Sequence, residues 1–266
     1  MNTDELKTFM GWFKWVLMGI LIAVVLALFI ISYFNYKKKN IKPVKFIAVT
    51  GIFGALATIL YVLVPDFGLG FTPPWLKVHL DEIAIFLVGY MYGPLSAIMV
   101  TLIKTLVKLP MTTTACVGEI GDFLFSMVFV LPAVIFYEKR RKLSSVFIGI
   151  GFSTLGHIIF AMIANVYIMI PFYSALYHMP LSSLEEMCSK IIPAVSGENW
   201  VWLYALCMVA PMNLIKDTIV VAVVLLLYKR LHILIERIGQ KNEKQKVEPE
   251  QESTSIETPT KEAQKN

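Results

Sequence analysis

Five ionisable side chains stand in or against apolar stretches of this 266-residue sequence: Lys104, Glu119, Asp122, Lys216 and Asp217. An ionisable group among hydrocarbon is costly, and it marks a functional position by default. Each of the five has two readings, a paired charge that holds helices together or a contact for a polar ligand. Lys216 and Asp217 are neighbours and project about 100° apart around a helix, so they cannot both face one cavity squarely. Asn213 and Lys216, three residues apart, share a face, and an amide beside an ammonium suits a ligand with carbonyl or hydroxyl oxygens. Asn165, in Ala-Asn-Val-Tyr-Ile-Met-Ile-Pro-Phe-Tyr, is either glue between helices or a ligand contact, and Tyr167 and Tyr173 are either its neighbours in a pocket or interfacial anchors. Glu119 stands in Val-Gly-Glu-Ile-Gly, where the glycines permit close approach of a ligand or of another helix.

Other chemistry is missing. The chain has no Walker A sequence and no HExxH, and its four histidines, His79, His157, His178 and His232, have no ligand spacing. Cys116, Cys188 and Cys207 form no CxxC and read as small apolar packing. No catalytic residue, metal site, cofactor or nucleic-acid partner is therefore expected. With 57% hydrophobic and 16% charged residues and a mean hydropathy of +0.68, the composition lies well outside the roughly 45–50% and 25% of soluble domains. A soluble globule is excluded.

The elements that must hold these groups follow from where charge is absent. A hydrocarbon core of roughly 30 Å needs about 20 apolar helical residues. Trp15 to Tyr36, Phe46 to Pro65 and Ile83 to Ile103 run 22, 20 and 21 residues without a charge. Gly93-Pro94 interrupts the third, which predicts one helix ending near Tyr92 and a shorter one ending near Lys108. Phe123 to Tyr137 follows Glu119 and Asp122 as a further span. Leu143 to about Ile170 is another, stopped by Pro171 and followed by an outer loop, and Trp202 to Tyr228 is the last. The expectation is an all-α integral membrane protein with seven transmembrane helices.

Basic residues orient them. Lys37, Lys38, Lys39, Lys42, Lys45, Lys139, Arg140, Arg141, Lys142, Lys229, Arg230 and Arg237 all fall on one side, which marks the cytoplasm of a multi-pass cell-membrane protein. The N-terminus is then outside and the C-terminus inside. Asp4 and Glu5 make residues 1–36 read as a retained anchor rather than a cleaved leader, and the polar tail 239–266 as disordered. Residues 65–78, with three prolines, two glycines and the flat side chains Phe67, Phe71 and Trp75, read as a lid or pocket wall. Gly51 and Ala55 form a small-xxx-small pair, either an internal contact or a docking face for another membrane protein.

In their order and spacing, several segments resemble the riboflavin-binding S components of energy-coupling factor (ECF) vitamin transporters. They are Gly51 to Thr58, Trp75-Leu76-Lys77 leading into Asp81-Glu82-Ile83, Gly93-Pro94-Leu95, Val117-Gly118-Glu119, Ala164-Asn165 through Pro171-Phe172-Tyr173, and Pro211-Met212-Asn213-Leu214-Ile215-Lys216. His79 and Ala84 depart from the family pattern, which has an acidic residue and often a proline there. The resemblance implies a six-helix S-component bundle, here over residues 45–238; the extra transmembrane helix and basic linker in 1–44 lie outside that common plan, and the tail follows the bundle. It implies riboflavin as the transported ligand, contacted by Glu119, Asn165, Asn213 and Lys216, with Lys77 a weaker candidate. Phe71, Trp75 or Tyr173 would then face the flavin ring. Gly51 and Ala55 would meet the T component, which works with two cytoplasmic ATPases, and lipid would surround the bundle. Competing readings are an S component for another vitamin, such as folate or thiamine, and a membrane scaffold or sensor that binds no small molecule tightly.

Overall fold

A computed structural model describes residues 19, 23, 26–37, 42–62, 69–112, 116–140 and 143–228. The chain divides into two compact units at Val224, and the bundle with its cavity belongs to the first. In the second, the described residues 225–228 are helical. Among the described residues the structure is helical and contains no β-strand. In chain order the helices are α1 (26–37), α2 (Pro43–Val62), α3 (Glu82–Tyr92), α4 (Pro94–Lys108), α5 (Val117–Arg140), α6 (Leu143–Ala164), α7 (Ile170–Leu176), α8 (Leu181–Ile191), α9 (Trp200–Tyr204) and α10 (210–228). Single π-helical turns, Asn165–Met169 and Ala205–Val209, join α6 to α7 and α9 to α10.

Five of these helical stretches are long and apolar enough to cross a membrane: Pro43–Val62, Pro94–Met111, Val117–Arg140, Ser144–Leu176 and Trp200–Tyr228. A shorter apolar helix, α3, is 11 residues long. Of the expected Trp15–Tyr36 span, most lies outside the described residues, and 26–37 is helical. The Gly-Pro break is where it was expected: Gly93 has φ 97°, a left-handed value suited to glycine, and Pro94 starts α4. The shorter of the two helices is the one before the break, because α3 begins only at Glu82.

Two further expectations are corrected. Pro171 does not end its helix, which runs on to Leu176. The proline sits in the first turn after the π-helical turn, where its missing N–H breaks no regular α-helical ladder. Glu119 and Asp122 lie within α5 rather than before it. The segment after α7 contains the helix α8, where the exposed Glu186 and Lys190 pair at 2.8 Å and the lysine's hydrogen bond holds the Glu186 carboxyl below its usual range.

Helix α5 is the centre of the bundle. Pro132 lies inside it, and the backbone N–H of the next residue, Ala133, donates to Ser153 Oγ of α6 at 2.9 Å. Gly149 of α6 stands so close that an added Cβ would lie 3.0 Å from the Ala133 backbone. On its other side α5 packs on α3 through Phe129 and Phe86, whose rings meet edge to face at 5.0 Å. Residues Glu82 and Ala84 to Tyr90 of α3 are buried. The short helix is thus enclosed by protein, and its acidic start at Asp81 and Glu82 is carried inside the bundle.

Candidate ligand-binding site

At the end of the bundle where α5 begins, a cavity of about 560 Å³ opens between α2, α4, α5, α6, α10, the 74–79 loop and the segment around α8. Ligand pockets typically enclose about 300–1,000 Å³. Trp75 and Lys77 enter from the loop, Glu119 and Asp122 from α5, His157 and Asn165 from α6 and its π-helical turn, Tyr173 from α7, and Asn213 and Lys216 from α10. Met169, Met212 and Phe125 supply apolar wall between these polar groups.

Lys104 has its ammonium fully engaged. It donates to Asp81, to Asp122 Oδ2 at 2.7 Å and to Ser126 Oγ at 3.0 Å, and it lies 4.7 Å from the Tyr61 ring centroid. Lys104 and Asp81 are completely buried. Three donors thus meet three acceptors, which leaves this lysine nothing to offer a ligand. Lys216 is arranged differently. It donates to Glu82 Oε1 at 2.7 Å, lies 5.8 Å from the Phe129 ring centroid and lines the cavity. Its neighbour Asp217 turns to another partner, with Oδ2 2.9 Å from His157 Nδ1. The 100° separation read from the sequence is realised as two separate pairs.

The two asparagines are held from within their own helices. Asn213 Nδ2 donates to the Val209 carbonyl at 2.9 Å, and Asn165 Nδ2 to the Ala161 carbonyl at 2.8 Å. Asn165 opens one π-helical turn, and Val209 closes the other. Such turns interrupt regular carbonyl pairing and occur often at functional sites. Glu119 sits in the first turn of α5, where a carboxylate is favoured by the helix dipole, and its Oε2 accepts from Thr112 Oγ1 at 2.8 Å. The same hydroxyl accepts the N–H of Cys116, whose φ of 68° is left-handed and tightens the entry to α5.

Seven of the eight substrate-facing residues expected from the sequence line this one cavity: Lys77, Trp75, Glu119, Asn165, Tyr173, Asn213 and Lys216. Phe71 does not; it packs against the apolar cluster around Leu76, Tyr204 and Met208. Its loop turns sharply at Leu69–Thr72, where the Thr72 N–H bonds back to the Leu69 carbonyl at 2.7 Å. Trp75 and Tyr173 have ring centroids 6.5 Å apart and form one wall. Sequence reasoning did not single out Tyr61, His157 or Tyr204, which line or support the site. An aromatic residue in an apolar run gives no sign of which face it occupies. Gly51 and Ala55 are exposed on α2, and a Cβ added at Gly51 would touch nothing within 4 Å, so the pair is not an internal contact of the described structure.

A multi-pass helical membrane bundle with one polar and aromatic cavity, and with its charges sorted into buried pairs, defines a small-molecule binding subunit. The chain belongs to the family of ECF transporter substrate-specific components, whose sequence model matches residues 45–228. It is 27% identical over 202 residues to the riboflavin transporter RibU of Staphylococcus aureus (strain TCH60), covering 76% of this chain and 98% of that one. It is 22% identical over 197 residues to the riboflavin transporter FmnP of Bacillus subtilis (strain 168), covering 73% and 95%. A solved structure of the S component of a bacterial ECF transporter superposes with a TM-score of 0.57 at 24% identity, covering 73% of this chain and 99% of that one, and shares the fold. This chain is thus the substrate-specific component of an ECF transporter and not an enzyme.

Proposed function

We propose that the chain captures riboflavin in this cavity and passes it to a transmembrane T component driven by two cytoplasmic ATPases. The observation that carries the reading is the cavity's mixed lining: the Glu119 carboxylate, the Asn165 and Asn213 amides and the Lys216 ammonium converge with the Trp75 and Tyr173 rings. Riboflavin brings an imide donor, ring carbonyl acceptors, a hydroxylated ribityl chain and a flat apolar ring, which match those groups in kind. Two relatives named as riboflavin transporters favour this vitamin over folate or thiamine, and favour a binding role over a scaffold or sensor.

In this reading Glu119, Asn165, Asn213 and Lys216 contact the vitamin, Lys77 guards the rim, and Trp75 and Tyr173 cover the ring. The cavity lies at the start of α5, whereas Lys139 and Arg140 lie at its far end. Basic flanks favour the cytoplasm, so the cavity faces outward, with the N-terminus outside and the C-terminus inside. Residues 45–238 act as the binding domain, between the linker-bearing segment 1–44 and the tail 239–266. Exposed apolar side chains such as Ile47 and Ile52 on α2 and Phe147 and Phe152 on α6 meet lipid, and the Gly51 and Ala55 face receives the T component. The absorption spectrum of the purified protein tests the reading. Co-purifying flavin bands, or saturable quenching of added riboflavin, are expected. A colourless protein that leaves riboflavin fluorescence unchanged would refute it.

A further inference from the structure

We infer that Tyr204 is a positioning residue for the ligand site: it fixes the Asn165 amide so that this side chain offers the bound vitamin a hydrogen-bond donor. The inference deepens the proposal that the cavity takes riboflavin, and rests on it.

A relay connects three side chains, and each of its ends has only one polarity. Trp75 Nε1–H can only donate, and it donates to the Tyr204 hydroxyl at 3.1 Å. With its oxygen accepting there, that hydroxyl turns its single proton to Asn165 Oδ1 at 3.2 Å. At the other end the Ala161 carbonyl can only accept, and it takes a proton from Asn165 Nδ2 at 2.8 Å. The identities of the two amide atoms are therefore dictated by chemistry: exchanging them would set acceptor against acceptor at Ala161 and leave the Tyr204 proton without its acceptor. The amide oxygen is turned towards Tyr204, one N–H is bound to Ala161, and the second N–H is left for whatever enters the cavity that Asn165 lines. Its partner on the ligand is then an acceptor, a ring carbonyl or hydroxyl oxygen, and not the imide N–H.

Tyr204 itself is fully buried and does not line the cavity. It ends α9 immediately before the π-helical turn Ala205–Val209, and that turn packs on the one that Asn165 opens. A phenylalanine would fill the same volume, so the hydroxyl is what the relay requires. One buried oxygen thus ties together the loop that carries Trp75, the Asn165 turn and the start of the last helix.

A double-mutant cycle tests this, with riboflavin affinity read by flavin fluorescence quenching and folding read by thermal unfolding in detergent. Tyr204→Phe should weaken binding about 5–10-fold, Asn165→Ala at least as much, and Tyr204→Phe should cost less than about twofold once Asn165 is alanine. An equal loss from Tyr204→Phe in both backgrounds, or no loss in the first, overturns the positioning role. Asn165→Asp is the second variant, and it keeps the claim testable even where Tyr204→Phe fails to fold. It preserves shape and the acceptor facing Tyr204 but replaces the donor; binding should fall at least as far as with alanine, and wild-type affinity would overturn the donor assignment. A wild-type protein that binds no riboflavin would instead strike at the functional proposal beneath both.

Discussion

Lys104 and Lys216 look alike in the sequence, each a single ammonium in an apolar helix, and both are buried, yet the structure employs them differently. Lys104 is closed in by Asp81, Asp122 and Ser126. Lys216 has Glu82 on one side and the cavity on the other. Burial therefore does not separate a structural charge from a functional one. What separates them is whether the partners exhaust the donors, and whether the remaining direction leads to open volume.

The largest effect should come from the closed site. Lys104→Met leaves two carboxylates facing each other without a cation, which should cost about 3–5 kcal/mol of stability in thermal or denaturant unfolding. A variant that melts with the wild type would end the distinction between the two lysines. Next comes the open site: Lys216→Met should weaken riboflavin binding about 5–150-fold, equivalent to roughly 1–3 kcal/mol, and should also lower the melting temperature because Glu82 loses its partner. Adding Glu82→Gln should recover the melting temperature without recovering affinity. Recovery of both would make Lys216 as structural as Lys104.

Asn213→Ala should be milder, since its own-helix bond to Val209 is local. Affinity weaker by about fivefold or more, with unfolding free energy lowered by less than about 1 kcal/mol, is expected; unchanged affinity would remove Asn213 from the pocket. The smallest effect on the isolated protein belongs to Gly51→Leu with Ala55→Leu. Riboflavin binding and melting should stay as they are while uptake by cells is lost, because the added bulk projects from an open face. Binding lost together with uptake would show that the pair supports the cavity instead.

Much of this organisation is legible in the sequence because a membrane constrains the chain so strongly. Uncharged runs locate the spans, Gly93-Pro94 locates a break, and rare polar residues such as Asn165 and Glu119 mark the cavity because a polar side chain among hydrocarbon is costly unless it has a partner. Other features depend on tertiary partners. That Asp81 would serve Lys104 while the adjacent Glu82 serves Lys216 rests on how α3 sits between α4 and α10, and no spacing within α3 expresses it. The π-helical turns depend on how two helices pack. They also explain why Pro171, a stop signal when read locally, does not stop its helix. Tyr204 was hidden for a simpler reason: its hydroxyl is one polar atom on a side chain that reads as apolar.

The π-helical turn at Asn165–Met169 changes the angular count along its helix. An α-helix advances about 100° per residue, so eight regular residues would leave Tyr173 about 80° out of line with Asn165; one residue in excess reduces this to about 20° on the other side. Both residues line the cavity. Removing one residue from the turn would restore regular winding and leave Tyr173 about 20° from Asn165 as before, whereas rewinding the same residues as regular α-helix would swing Tyr173 by about 100°. In this architecture the turn takes up a surplus residue locally, so chains that differ by a single codon there can present the same wall to the cavity.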